Sequence, residues 1–136
     1  MTMRVTHATL YVKDQNEALR FYTEKLGFEV RADTTLGDFR WLTVSPKDQP
    51  DFEIILYALK ADGFFLSEDD VKTMTRLLEA GKLGGLLIKT DDIQKTYEDW
   101  KAKGVEFQKP PTQEPYAYEA VFKDNNGHVF SLHQDR

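Results

Sequence analysis

The chain has 136 residues, the size of one ordinary domain and enough to bury about two thirds of its unfolded surface. Hydrophobic residues make up 40 %, which excludes a disordered chain. The absence of cysteine excludes a disulfide framework, a thiolate nucleophile and Cys-based zinc or iron–sulfur sites. Lys and Arg number 18 against 23 Asp and Glu, a net charge of −5, which argues against nucleic-acid and anionic-lipid partners.

The longest apolar run, Ile54–Leu59, is far below the ~20 residues of a membrane span. The opening MTMRVTHATLYVKD turns polar too early for a signal peptide. The expectation is a cytoplasmic protein.

Val5–Val12 alternates Ala8, Leu10 and Val12 with His7, Thr9 and Tyr11, the period of a strand with two different faces. Asp14 stands where a helix N-cap belongs, and Ala18, Leu19, Phe21, Tyr22 and Leu26 follow at helical spacing up to Gly27, so Gln15–Lys25 reads as a helix. Phe28–Thr34 reads as a strand, Gly37-Asp38 as a turn, and Phe39–Val44 as the next strand. Asp48–Asp51 is a polar loop, and Phe52–Leu59 is a fourth strand. Ser67 followed by Glu68, Asp69 and Asp70 marks a helix start, and Val71, Met74, Leu77 and Leu78 share one face, giving a helix over about Glu68–Ala80.

Leu83–Thr90 is again a strand. Asp92 opens a helix carrying Ile93, Tyr97 and Trp100 that stops at Gly104. Val105–Gln108 is a short strand, Lys109–Pro115 a Pro-rich loop, Tyr116–Lys123 a strand, Asp124–Gly127 a turn and Val129–Gln134 a last strand. The order β-α-β-β-β thus occurs twice. Asp14 aligns with Asp92, and Phe52 with Phe130, at one offset of 78 residues, which points to a duplicated unit.

The opening HATLYVKD, the helix end FYTEKLGF and the closing AVFKDNNGHVFSL together resemble the vicinal oxygen chelate superfamily, the group of glyoxalase I, the bleomycin-resistance proteins and the extradiol dioxygenases. The resemblance implies an α+β fold of tandem βαβββ modules, curved mixed sheets around a cavity, here with an extra helix between modules. It divides one domain, 1–136, into module one (4–59), linker helix (61–82) and module two (83–134). Metal-dependent members place one ligand on the first and one on the last strand of each module. Those positions fall on His7, Glu53, Gly85 and Ser131, and Gly and neutral Ser are poor metal ligands. The resemblance also implies a homodimer that completes its cavities between chains.

Two readings of His7 and Glu53 stay open. Either the pair holds one divalent ion (Zn, Ni, Co, Mn or Fe), with His133 as a further ligand that strand alternation puts on Ser131's face, or it binds no metal. In the second case Glu53 either orients His7 or acts as the base itself. Tyr11, Arg40, Trp41, Tyr57, Tyr118 and Ser131 are candidate ligand contacts, with Lys109–Tyr118 as a rim. His128 points away from that face or lies exposed. Loss of the second module's ligands favours a protein that binds a small aromatic or amphipathic molecule. The alternative is a metal-dependent lyase or dioxygenase of the glyoxalase/extradiol type using His7 and Glu53, and a third reading is a structural dimer without ligand.

Overall fold

The computed structural model describes all 136 residues and separates into two compact units, Met1–Val71 and Lys72–Arg136. In the first, strand β1 (His7–Val12) leads into helix α1 (Gln15–Arg20), which runs on as a π-helical turn over Phe21–Lys25. Strands β2 (Glu29–Leu36), β3 (Phe39–Ser45) and β4 (Glu53–Ala58) follow. The sheet order is β1-β4-β3-β2, with β1 parallel to β4 and the other pairs antiparallel. Asp14 caps α1 as its spacing predicts, its carboxylate accepting the Glu17 N–H at 2.9 Å.

The alternation in β1 sets the layers. Leu10, Val12, Leu42, Val44, Ile54 and Leu56 are buried, as are Ala18, Phe21 and Tyr22 of the helical segment. They form the apolar core between sheet and helix. Registers His7 opposite Glu53, Tyr11 opposite Tyr57 and Thr43 opposite Ile55 put the other set of side chains on the helix-free face.

Helix α2 (Glu68–Glu79) spans the division between the units. Its start is a reciprocal capping box: the Ser67 hydroxyl accepts the Asp70 N–H at 3.1 Å, and the Asp70 carboxylate accepts the Ser67 N–H at 2.9 Å. The second unit holds β5 (Gly84–Lys89), α3 (Ile93–Ala102), β6 (Glu106–Gln113), β7 (Tyr118–Lys123) and β8 (Val129–Gln134), in sheet order β5-β8-β7-β6. Asp92 caps α3 through the Lys95 N–H. Trp100 meets the core ring of Phe122 edge-on at 5.3 Å, and Phe122 stacks on Phe130 at 5.0 Å. Each unit is β-α-β-β-β, and the fold is the α+β arrangement read from the repeat. No helix is long and apolar enough to cross a membrane.

Two expectations need correction. Lys109–Pro115 is not a loop, since β6 continues through Pro110 and Pro111 to Gln113. It does so as an edge strand with register shifts on either side of Lys109, and edges and bulges are where a strand tolerates proline. The 78-residue offset also slips at the last strand, because β4 opens at Glu53 and β8 at Val129. A bulge between Gly84 and Leu87 absorbs an extra residue in β5. Gly84 opposite Val129 therefore repeats the register of His7 opposite Glu53, in place of Gly85 and Ser131.

Gly85 serves packing instead. A Cβ there would lie 2.4 Å from the ring of buried Phe130. Gly85→Ala is expected to cost about 1–3 kcal/mol through overpacking. Chemical denaturation would show this as a lower midpoint, and an unchanged midpoint would contradict the contact.

Candidate functional site

The helix-free face of the first sheet carries the chemistry. Strand pairing sets His7 beside Glu53, with Nε2 3.7 Å from Oε2. The other carboxylate oxygen, Oε1, accepts the Thr43 hydroxyl at 2.6 Å. Thr43 is fully buried, so this bond fixes the orientation of Glu53. His7 Nδ1 lies 2.8 Å from the Thr6 hydroxyl, and its ring is 5.8 Å from that of Trp41. The imidazole is thereby held with Nε2 toward the carboxylate. Both side chains are about one third exposed or less, at 34 % and 27 %, within reach of a bound molecule.

Aromatic residues continue along the same face. Tyr11 meets Tyr57 edge-on at 5.5 Å, Tyr57 meets Phe39 at 5.7 Å, and Phe65 stacks on Tyr11 at 6.5 Å. Beside Phe39 and Tyr57 opens a cavity of about 500 Å³, also lined by Leu36, Asp38, Arg40, Lys60 and Asp62. That volume suits a small organic ligand. Burial, then the charges of Tyr57 and Asp62, raise the Tyr11 phenol above its ordinary pKa, so it stays a protonated donor at neutral pH.

Thr43, Phe39, Phe65 and Asp62 were not singled out from the sequence. Thr43 and Phe39 follow from alternation once Trp41 is assigned to this face. Nothing in the sequence signals that the Asp62–Leu66 loop returns to Tyr11.

Arg40 and Tyr118 take different positions from the other candidates. Arg40 alternates onto the helix side, where Asp33 accepts from Nε and Nη2, both at 2.9 Å, and Asn16 accepts from Nη1 at 2.6 Å. It borders the cavity as an already paired cation. Tyr118 lies on the face of buried Ala120 and Phe122, opposite Ser131. His128 is buried, with Nδ1 2.7 Å from Asp124, and belongs to the turn.

The helix-free face of the second sheet is a closed polar network. Glu119 accepts Ser131 Oγ at 2.6 Å on one oxygen, and Lys109 Nζ at 2.9 Å and Tyr116 Oη at 2.8 Å on the other. Lys109 also reaches Glu114 at 2.6 Å. The donors, Ser131 first and then Lys109, pull Glu119 down to a pKa of about 2. Ser131, a candidate contact, thus spends its proton on Glu119. His133 sits opposite Glu119, on Ser131's face as alternation requires, and its buried Nδ1 has no partner.

Because the folded pKa of Glu119 lies below the ordinary 4.5, its stabilising contribution is complete above that value. It is lost as pH falls through about 2. Denaturation midpoints measured from pH 5 down to pH 2 should fall less steeply in Glu119→Gln than in the wild type. Parallel profiles would contradict the network.

The metal reading meets a limit in the donor set. His7 and Glu53 supply two donors, Gly84 and Val129 supply none at the matching register, and no three His, Asp or Glu side chains form a metal-holding group. Two protein ligands fall short of the three or four that hold zinc and the three of a facial triad. His7 and Glu53 thus supply two of the donors that such an ion takes.

Comparison with known proteins agrees with the fold. The model of the Glyoxalase/Bleomycin resistance protein/Dioxygenase superfamily matches residues 4–132. The chain is 38 % identical to the uncharacterized protein YurT of Bacillus subtilis (strain 168), over 97 % of this chain and 99 % of that one. The crystal structure of UcmS2 superposes with a TM-score of 0.92 at 41 % identity, covering 98 % of each chain. That of TnmS3, an antibiotic binding protein from Streptomyces sp. CB03234, superposes with a TM-score of 0.75 at 30 % identity, covering 99 % of this chain and 98 % of that one. With two βαβββ units in order and the family model spanning nearly all of it, the chain belongs to the glyoxalase/bleomycin resistance protein/dioxygenase superfamily.

Proposed function

We propose that the first unit binds a small aromatic or amphipathic molecule without metal, on the sheet face and the cavity that opens beside it. The carrying observation is the run of rings from Phe65 through Tyr11 and Tyr57 to Phe39, whose last two members, Tyr57 and Phe39, line a cavity of about 500 Å³. Ring faces give planar ligands broad contact at little entropic cost. The oriented Glu53 carboxylate, with His7 beside it, offers a polar anchor at the other end of the face. The likeness to TnmS3, an antibiotic binding protein, supports the same reading. We take the protein as a cytoplasmic homodimer, checked by sedimentation and by cell fractionation.

A panel of polycyclic aromatic ligands should raise the melting temperature equally with and without EDTA. Tyr57→Ala should weaken binding about tenfold, the share of one well-packed ring. A panel that produces no shift, or a shift abolished by EDTA, would overturn the reading.

A second reading is favoured by one observation, the 3.7 Å approach of His7 Nε2 to a Glu53 held by Thr43. Such a pair can move a proton on a bound substrate. In that case Glu53→Gln would abolish turnover while ligand binding persists.

A further inference from the structure

The aromatic wall leaves the charge of its occupant open. Resting on the ligand-binding reading above, we propose that the occupant is an organic cation, a protonated or quaternary amine seated against Phe39 and Tyr57 at the end of the first sheet.

Three observations carry this. First, the rings of Phe39 and Tyr57 line the cavity, and Tyr11 and Phe65 continue the row beyond Tyr57. Ring faces attract cations, by roughly three- to thirtyfold in affinity as desolvation increases. Phe65 keeps 59 % of its surface exposed and Phe64 95 %, so the adjoining loop offers further aromatic area.

Second, the basic groups of the wall are already engaged. Arg40 is closed on both arms by Asp33 and by Asn16. Lys60 Nζ donates to the Asp38 backbone carbonyl at 2.8 Å. With Arg40 paired to Asp33, the lining residues Asp38 and Asp62 stand against the one tethered ammonium of Lys60, an excess of one negative charge.

Third, Asp62 is a fixed anion. Its Oδ1 accepts the N–H groups of Phe64, Phe65 and Leu66 at 2.9, 2.7 and 3.0 Å. These bonds, Leu66 first, hold its carboxyl below the usual range, so it remains charged wherever the protein is folded near neutrality. The same three bonds shape the loop that brings Phe65 onto Tyr11. Charge and rings are therefore placed by one small motif.

The test compares two probes of nearly the same shape, 9-aminoacridine, cationic at neutral pH, and acridone, which is neutral. Fluorescence anisotropy titrations on the full chain should give at least tenfold tighter binding of the cation. Asp62→Asn keeps the Oδ1 acceptor for the three N–H groups and removes only the charge, so it should shrink that ratio about threefold or more. Raising the salt concentration should shrink it as well. Acridone binding as tightly as 9-aminoacridine, or a ratio untouched by both Asp62→Asn and salt, would overturn the cation proposal while the aromatic reading stands. Binding of neither probe overturns both.

Discussion

Gly127→Ala is expected to destabilise the second unit by about 3–5 kcal/mol. Gly127 has φ +113°, and a Cβ there would sit 2.1 Å from the backbone carbonyl oxygen of Leu78. Leu78 is fully buried in the last full turn of α2, so neither partner can yield as a flexible side-chain tip would. The strained backbone adds about 1–3 kcal/mol on its own, and the clash with a buried helix end adds to it. Chemical denaturation of the purified variant gives the number. A loss below about 1 kcal/mol would show that the α2 end does not rest on this turn.

Asp124→Ala should be comparably damaging, for a different reason. The Asp124 Oδ1 accepts the N–H groups of Asn126, Gly127 and His128 at 3.0, 2.9 and 2.9 Å, and Oδ2 lies 2.7 Å from His128 Nδ1. Asp124, Asn126 and His128 are each at most 5 % exposed. Alanine leaves three backbone donors and one imidazole nitrogen without their acceptor, each costing about 1–3 kcal/mol where water cannot replace it. Asp124→Asn keeps an Oδ1 for the backbone and loses only the charged partner of His128, so it should cost about 1–2 kcal/mol. The ordering Ala well below Asn below wild type, in urea midpoints, is the expected result. Equal losses would mean that the charge, not the backbone clamp, dominates.

These two residues stand in the DNNGH stretch that helped mark the chain's resemblance. Their part in the fold was legible only as a turn. Asn-Gly spacing predicts a reversal, but nothing local says that α2 returns to lie on it. The same limit recurs throughout. Local signals were read well: Asp14 and Asp92 cap helices, Ser67 starts α2, and Ala8, Leu10 and Val12 mark one face of β1. Each depends on a few neighbouring residues.

What failed depends on distant partners. Pro110 and Pro111 read as a loop, because edge position and bulging, which permit them in β6, are properties of the assembled sheet. The offset of 78 followed identical Phe residues, whereas the structure follows the hydrogen-bond ladder, and a bulge beside Gly85 separates the two. Arg40 borders the cavity from the helix side of its strand, and sequence alone does not say which alternate face of β3 or β7 carries the helix. The Glu119 network was missed for the same reason. Its Ser131 partner lies 12 residues away on β8.

The candidate site shows the same division. His7, Glu53, Tyr11, Trp41 and Tyr57 share one face as alternation within each strand required, and β1–β4 pairing brings His7 to Glu53. Thr43, which fixes the carboxylate, and Phe65, which closes the ring cluster, come from cross-strand register and a loop return. Those contacts separate a bare pair of polar residues from an oriented anchor beside an aromatic wall.

The most direct test of ligand binding on this face uses the two tryptophans of the chain. Trp41 lies beside His7, whereas Trp100 is buried against Phe122 in the second unit. The ¹H–¹⁵N spectrum of the indoles would be recorded in EDTA during titration with an aromatic ligand that stabilises the protein. The Trp41 resonance should move in proportion to occupancy while that of Trp100 stays within its linewidth. A titration that moves Trp100 and leaves Trp41 in place would contradict the site described here.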